Sequence, residues 1–178
     1  DVCSSDLTVV IMTQNAASEP APDSEAYVRT EVRDGTGIIV LDRPKALNAL
    51  TACMYRDMLE ALWAWRDDDA VTQVLVTTSA PRAFCSGGDL KAMRDKRGIM
   101  EGTHADLREN YRRGVQRMAN ALYGCDAPTI AAVNGPAIGL GLDVATMCDI
   151  RVASEKASFA ESFIKVGIVP GDGGAWLL

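Results

Sequence analysis

The chain has 178 residues, of which 48% are hydrophobic and 24% charged, and its formal net charge at pH 7 is −6. This composition is typical of a globular domain with one sizeable core, and the negative charge argues against nucleic-acid or anionic-membrane partners, which require a basic surface. The five cysteines are widely spaced without a CxxC pair. A disulfide framework and a metal site are therefore disfavoured, and we expect a reducing compartment such as the cytoplasm.

The first 27 residues are predicted to be a disordered leader, because residues 8–26 combine scattered proline, serine, alanine and acidic residues. Residues 1–7 (DVCSSDL) resemble a translated sequencing adapter, and we expect them to be non-native. The folded domain is placed at residues 28–178. Because the chain stops at residues 176–178 (WLL), inside a predicted first helical turn, we expect this domain to lack its C-terminal part.

The folded part begins with a predicted β-hairpin. Residues 27–33 alternate as an exposed strand does, Asp34-Gly35 is a hairpin turn signal, and residues 37–42 form the returning strand. A helix is predicted over residues 52–66, with Thr51 as its N-cap and a buried stripe of Met54, Met58, Leu62 and Trp65.

Strands and helices then alternate along the chain. Apolar runs predict strands at residues 71–77, 129–133 and 149–153. A polar insertion is expected at residues 94–104, one long helix at 105–123, and a further helix opening near Leu142. This order predicts an α/β fold with crossover connections between parallel strands.

Two glycine-containing turns each follow a predicted strand and lead toward a helix: residues 84–89 (FCSGGD) and residues 139–141 (GLG). Backbone N–H groups left unpaired at two such turns can together hold a thioester oxygen as it gains negative charge, and a helix dipole at the second turn would help. Taken singly, each turn is more often only a tight loop. The second turn is not a dinucleotide-binding fingerprint, because Val144 stands where a third glycine is required.

The two turns belong to five ordered segments: DRPKALNAL (42–50), AFCSGGDL (83–90), AVNGPAIGLGLD (132–143), CDIRVA (148–153) and GIVPGDGG (167–174). Together they resemble the successive signatures of the crotonase (enoyl-CoA hydratase/isomerase) superfamily, and the resemblance covers residues 28–178. It implies a ββα spiral fold that binds an acyl-CoA thioester and stabilises its enolate. It also implies a homotrimer or hexamer for the intact parent protein, and no metal or cofactor beyond the coenzyme A of the substrate.

By position, the resemblance implies that Gly88 and Leu140 donate the two oxyanion N–H groups. Only the backbone of Leu140 is needed, although its side chain is larger than the glycine or alanine usual there and could crowd the site. The other motif residues are expected to line the substrate groove: Lys45, Ala46, Leu47, Ala83, Ser86, Gly87, Asp89, Leu90, Gly135 and Gly139.

Three acidic residues are candidates for proton transfer. Asp143 falls on the first acidic position of the hydratase pattern, in a first helical turn whose dipole favours its charged form. Phe163 occupies the second acidic position. Glu161 precedes it by two residues, a spacing that does not share a helical face. Asp172 lies one position after the acid of some superfamily isomerases and hydrolases, where Gly171 stands, and is equally interpreted as a turn-stabilising residue.

Three functions remain open at this stage. The first is an enoyl-CoA hydratase or isomerase reaction through an enolate, and with one acid replaced we expect proton transfer to outrun water addition. The second is another superfamily reaction such as thioester hydrolysis. The third is non-catalytic acyl-CoA binding or an inactive fragment. A serine–histidine–aspartate triad using His104, the only histidine, and a Cys85 nucleophile are both disfavoured.

Overall fold

The computed structural model describes residues 26–178. The predicted leader, including residues 1–7, therefore lies outside the described residues except for its last two. Tyr27 is part of the fold, because its carbonyl accepts a hydrogen bond of 2.8 Å from the backbone of Asp42. The guanidinium carbon of Arg43 also lies 5.1 Å from the centroid of the Tyr27 ring.

Within residues 26–178, seven strands form two sheets. They are β1 (Val28–Arg33), β2 (Thr36–Leu41), β3 (Gln73–Thr78), β4 (Thr129–Val133), β5 (Ala137–Ile138), β6 (Ile150–Ala153) and β7 (Phe159–Ala160). The main sheet has the order β1-β2-β3-β4-β6, and only its β1–β2 pair is antiparallel. Strands β5 and β7 form a short parallel pair. The predicted hairpin turn is confirmed, since Asp34 and Gly35 have φ angles of 50° and 77°.

Helices connect the parallel strands. They are α1 (Ala52–Arg66), α2 (Leu90–Arg94), α3 (His104–Arg113), α4 (Val115–Tyr123), α5 (Leu140–Met147) and α6 (Gly174–Leu177), with 3₁₀ turns at Pro44–Ala46, Gly98–Met100 and Phe163–Val166. The bounds of α1 are those predicted from its apolar stripe. The parallel strands and their crossover helices confirm the predicted α/β class.

The single long helix predicted at residues 105–123 is wrong. It is two helices that meet at Gly114, where φ is −98° and ψ is −104°. A reciprocal capping box between Thr103 and Asp106 starts α3, a local signal inside the polar insertion. The insertion also contains the Gly98–Met100 3₁₀ turn, and α2 ends at its edge.

The predicted N-cap of α1 has the correct position but does not make the expected side-chain hydrogen bond. Thr51 is the N-cap residue, yet its side chain accepts no hydrogen bond from the helix backbone. Its hydroxyl lies 2.9 Å from the sulfur of Cys53 instead. Helix α1 is therefore stabilised by its buried face, where Met54 and Met58 are fully shielded from solvent.

The hydrophobic core lies between the main sheet and the helices α1 and α4. Strands β2, β3 and β4 contribute alternate residues such as Ile39, Val76 and Ala131, all of which are fully buried. Helix α4 adds Val115 and Met118. This core supports the edge of the sheet where β3 and β4 end, which is where the two glycine turns begin.

Candidate active site

The two glycine turns lie side by side beyond the carboxyl ends of the parallel strands β3 and β4. Cys85, in the first turn, forms a parallel bridge with Ala137, and the backbone of Ile138 donates a 3.0 Å hydrogen bond to the Cys85 carbonyl. In α/β sheets ligands bind outside the carboxyl ends of the strands. The topology therefore brings the two sequence-predicted turns to the expected edge.

Glycines allow the backbones of the two turns to approach each other. A Cβ on Gly87, where φ is +98°, would lie 2.8 Å from the Ile138 carbonyl oxygen and 3.8 Å from the backbone nitrogen of Leu140. A Cβ on Gly141 would overlap the carbonyl oxygen of Cys85 and lie 2.8 Å from its Cβ. Any larger residue at these two positions would push the turns apart.

The N–H groups of Gly88 and Leu140 are unused by the backbone. Leu50 and Gly88 form a parallel bridge, in which the Leu50 N–H donates to the Gly87 carbonyl and the Asp89 N–H donates to the Leu50 carbonyl. The N–H of Gly88 itself therefore faces away from Leu50. Leu140 is the first residue of α5, so its N–H has no acceptor within the helix. Across residues 26–178, neither group donates to another backbone carbonyl.

The side chain of Leu140 does not open onto the surface. It is 4% exposed and belongs to the hydrophobic core cluster. Whether its size crowds the bound acyl group stays a prediction.

Two carboxyl groups converge on the first residue of α6. A Cβ on Gly174 would overlap Oδ1 of Asp143 and lie 2.7 Å from Oε1 of Glu161. All four carboxyl oxygens of Asp143 and Glu161 are buried, and within the described residues none has a hydrogen-bond donor. Two ionised carboxylates repel each other in a buried site, so a proton shared between them satisfies this arrangement best.

The acid form of Asp143 is favoured at neutral pH. Burial, followed by the neighbouring Glu161 and Asp172, raises the pKa of Asp143 to about 10. The expectation that the α5 dipole keeps Asp143 charged is therefore wrong, because desolvation and two acidic neighbours outweigh the dipole. Burial also raises the pKa of Asp172, although the neighbouring Asp143 and the hydrogen bond from the Gly171 N–H (3.1 Å) oppose that shift. At neutral pH, Asp143 is a proton donor between two acidic groups.

Glu161 reaches Asp143 because its segment is not helical. Strand β7 ends at Ala160, and the following 3₁₀ turn begins only at Phe163. The sequence-based argument against Glu161 assumed that residues 161 and 163 lie on one helix. That assumption is wrong. Phe163 is buried, and its ring lies 3.7 Å from the position of a Cβ on Gly139. Asp172, in turn, both stabilises its own turn and joins the cluster of Asp143 and Glu161.

The loop that follows β2 contacts the first glycine turn. The backbone N–H of Ser86 donates to the Leu47 carbonyl at 3.0 Å, and its hydroxyl donates to the Ala46 carbonyl at 3.3 Å. Lys45 is exposed beside them, as is Leu90 at the start of α2. These residues form the outer rim of the candidate site.

Asp89 is already engaged by the protein. Its Oδ1 accepts from the backbone N–H groups of Lys91 and Ala92, and its Oδ2 accepts from Arg43 at 2.8 Å. Burial opposes its ionisation, but these hydrogen bonds outweigh burial and lower the pKa of Asp89. The carboxylate therefore shapes the rim by capping α2 and holding Arg43.

The remaining predicted glycines are structural contacts. A Cβ on Gly135 would lie 3.2 Å from the Cα of Ala83, so these two residues hold the loops after β3 and β4 together. Gly139 has a φ of +51° and is the N-cap of α5, and its carbonyl accepts from the N–H groups of Leu142 and Asp143. Gly139 thereby sets the direction in which Asp143 enters the site.

Sequence reasoning missed three side chains beside these groups. A Cβ on Gly88 would lie 2.8 Å from Cε of Met93 and 4.0 Å from the hydroxyl of Tyr55. Tyr111 contacts Gly171, next to Asp172. The sequence predicts only a helix around Tyr111, because helical periodicity does not reveal which side chain lies next to a site.

The two disfavoured nucleophile hypotheses find no support. Cys85 is buried, which raises its pKa to about 12, and its thiol donates to the Asn48 carbonyl at 3.1 Å. His104 is exposed at the first position of α3. Neither residue has the environment of an activated catalytic group.

A separate cavity of about 640 Å³ opens at the amino ends of β3 and β4. Its walls include Trp63, Arg117 and Cys125, and it contains none of the predicted site residues.

Over residues 26–178, no cluster of three or more His, Cys, Asp or Glu side chains is arranged to hold a metal ion. The described helices are all too short or too polar to cross a membrane.

Comparison with known proteins gives consistent matches. The model of the enoyl-CoA hydratase/isomerase family matches residues 31–178. A Rhodobacter capsulatus protein named "Probable enoyl-CoA hydratase" is 37% identical over 153 residues, which are 85% of this chain and 55% of that protein. The mitochondrial 3-hydroxyisobutyryl-CoA hydrolase of Gallus gallus is 34% identical over 157 residues, which are 88% of this chain and 40% of that protein.

A solved structure extends the similarity to three dimensions. The enoyl-CoA hydratase from Bacillus halodurans superimposes with a TM-score of 0.76 at 28% identity, covering 85% of this chain and 59% of that chain. The chain thus spans about half the length of the proteins it matches.

Proposed function

Because the chain belongs to the enoyl-CoA hydratase/isomerase family, we propose that the protein binds an acyl-CoA thioester and transfers protons on its acyl group through an enolate. The crotonase-like α/β fold expected from the five motifs is confirmed by the superposition on the Bacillus halodurans enzyme. One observation carries the proposal about chemistry: a buried cluster of Asp143, Glu161 and Asp172 stands beside two adjoining turns with unpaired N–H groups.

The N–H groups of Gly88 and Leu140 would hold the thioester oxygen. Negative charge develops on this oxygen when the enolate forms, and preorganised donors stabilise it without reorganisation. Leu140 adds the positive end of the α5 dipole. Loss of one such donor typically costs about 10²–10³ in rate, so the two turns would supply much of the catalytic effect.

Hydration of a 2-enoyl-CoA follows from this arrangement. The Asp172 carboxylate accepts a proton from water, whose oxygen bonds to the β-carbon, and the π electrons of the double bond move to the thioester oxygen. The protonated Asp143 then delivers its proton to the α-carbon as the carbonyl re-forms. The proton gained by Asp172 then passes to the neighbouring Asp143, so one water is added and the cluster is restored.

Isomerisation between 3-enoyl-CoA and 2-enoyl-CoA uses the same enolate. A carboxylate of the cluster removes the α-proton, and a carboxylic acid returns a proton to the γ-carbon. The replacement of the second acid by Phe163 led us to expect isomerisation to exceed hydration, and this stays a prediction. Glu161 and Asp172 beside Asp143 offer a replacement for the missing carboxylate, so we propose both reactions.

The test is to follow conversion of a 2-enoyl-CoA and a 3-enoyl-CoA by the protein and by its Asp143→Asn variant. Without a transferable proton at this position, we expect both conversions to fall by about 10²–10⁴ while ligand affinity is retained. Asp149→Asn is the matched control, because Asp149 bonds to Thr129 instead. Turnover that survives Asp143→Asn would disprove the assignment, and binding without turnover in the unmodified protein would support the non-catalytic alternative.

Thioester hydrolysis is the second candidate. It is favoured by the similarity to a 3-hydroxyisobutyryl-CoA hydrolase and by the place of Asp172 in the carboxyl cluster. The same two N–H groups would stabilise a tetrahedral oxyanion, and Asp172 would accept the proton of the attacking water. Release of free thiol from a saturated 3-hydroxyacyl-CoA would identify this reaction, since hydration and isomerisation release none.

A further inference from the structure

Tyr111 projects from α3 onto the turn that carries Asp172. A Cβ on Gly171 would lie 3.3 Å from Cε1 of the Tyr111 ring. The same turn is held from α4, where the side-chain amide of Gln116 donates a 2.7 Å hydrogen bond to the Gly171 carbonyl. The α3–α4 pair therefore fixes the position of the Tyr111 ring relative to the acidic cluster.

The Tyr111 phenol lies within electrostatic range of two of the three acids. Burial, followed by the charges of Asp172 and then Asp143, raises the pKa of Tyr111. The hydroxyl therefore keeps its proton throughout the physiological range and can donate it in a hydrogen bond. The neutral Tyr111 hydroxyl can donate a hydrogen bond to a substrate oxygen while one of the neighbouring acids accepts a proton from that same oxygen.

The hydroxyl of the half-buried Tyr111 makes no hydrogen bond within residues 26–178, and its oxygen is not one of the fully enclosed unsatisfied atoms, so water or a ligand can reach it. The nearby Tyr55 differs, because its hydroxyl donates to the Leu50 carbonyl at 3.2 Å. Polar groups at partly buried positions are normally satisfied by protein, water or ligand. The Tyr111 ring is thus packed against the turn that carries Asp172, while its hydroxyl is free to donate a hydrogen bond.

We propose that Tyr111 is a substrate-contacting residue whose hydroxyl donates a hydrogen bond to the oxygen on the β-carbon of the acyl group. That oxygen belongs to the attacking water before hydration and to the 3-hydroxyl group afterwards. Asp172 accepts a proton from this oxygen while Tyr111 donates to its lone pair, so both contacts form at once. This inference rests on the proposed function and extends it, because it makes 3-hydroxyacyl-CoA the ligand class that the site prefers.

The Tyr111→Phe variant separates this role from a structural one, because phenylalanine keeps the ring against Gly171. We expect hydration of a 2-enoyl-CoA to fall about 10-fold, the effect of one lost hydrogen bond. Isomerisation of a 3-enoyl-CoA involves no β-oxygen and should change less than about 2-fold. Tyr123→Phe is the matched control, since Tyr123 is exposed at the end of α4 and both rates should be unchanged.

A binding measurement tests Tyr111 independently of turnover. Calorimetric titration with 3-hydroxybutyryl-CoA and with butyryl-CoA should show a preference for the hydroxylated ligand that Tyr111→Phe removes. Equal loss of hydration and isomerisation, or a preference that survives the substitution, would overturn the proposal. If the unmodified protein converts neither enoyl-CoA, the proposed function fails, and the two binding constants alone then decide the role of Tyr111.

Discussion

At the scale of single residues, the decisive feature is the protonation of Asp143. An aspartate in the first turn of a helix is ordinarily stabilised as an anion. Here the side chain is fully buried and is flanked by Glu161 and Asp172, so its acid form is favoured. Groups tuned in this way are typical of catalytic sites, where stability is given up for reactivity.

The raised pKa of Asp143 predicts how stability depends on pH. In the unfolded chain this carboxyl ionises near pH 4, whereas in the folded protein its pKa is about 10. Its contribution to the free energy of unfolding is therefore greatest below pH 4 and declines as pH rises toward 10. The Asp143→Asn substitution removes this decline in the free energy of unfolding, because an asparagine does not ionise. The amide of the asparagine can also donate a hydrogen bond to the neighbouring acids. We expect a flatter pH dependence and a Tm at pH 8 raised by at least about 2–4 °C in thermal unfolding.

Asp149→Asn should behave in the opposite way. Hydrogen bonds from the backbone and side chain of Thr129 lower the pKa of Asp149. Its contribution to stability is therefore present above pH 4 and lost as pH falls through the folded-state pKa. The substitution should lower the Tm at pH 7. A loss of stability at pH 8 in the Asp143 variant would contradict the proposed protonation.

At the scale of elements, the close contact between the two glycine turns holds the candidate oxyanion donors together. The second turn approaches the first through Gly141, where no space remains for a Cβ beside Cys85. The apposition is supported by a backbone hydrogen bond from Ile138 to Cys85. The pair of turns therefore acts as one unit, and its geometry depends on residues about fifty positions apart in the chain.

Gly141→Ala should separate these turns. Overpacking of this kind typically costs about 1–3 kcal/mol, and we expect a loss in that range in urea unfolding, together with reduced acyl-CoA turnover. Gly167→Ala is the matched control, because nothing lies within 4 Å of a Cβ there and only its φ of +73° is unfavourable. Equal losses for the two variants would show that backbone strain, not contact between the turns, sets the effect.

At the scale of the whole molecule, large apolar side chains remain exposed along the C-terminal segment. Ile164, Val169 and Trp176 are 85%, 81% and 82% exposed. A concentration of exposed apolar residues marks a surface that other protein covers. The expected homotrimer or hexamer stays a prediction, and this segment is the candidate for its contacts.

We therefore expect the protein to self-associate through this segment. Sedimentation velocity at increasing concentration should show species larger than the monomer, and the double substitution Ile164→Ser and Val169→Ser should shift them toward the monomer. Tyr123→Ser is the control, because Tyr123 is comparably accessible, at 60%, but lies on α4. A single monomeric species at all concentrations would contradict the prediction.

Sequence alone determined the features that depend on neighbouring residues. The bounds of α1 follow from a stripe of apolar residues at helical spacing, and the β1–β2 hairpin follows from a dipeptide suited to positive φ angles. The five ordered motifs were sufficient to identify the family. Even here the local pattern missed the break at Gly114, because α3 and α4 share one continuous apolar stripe across it.

Only the tertiary structure decided the chemistry of the acidic cluster. Asp143, Glu161 and Asp172 come from a helix, an extended segment and a turn, and Tyr111, on a further helix, packs against Gly171 beside Asp172. The pKa values of Asp143, Asp172 and Tyr111 depend on desolvation and on charges contributed by distant parts of the chain, which no local pattern records. Phe163 suggested a missing acid, whereas the extended backbone before it brings Glu161 beside Asp143.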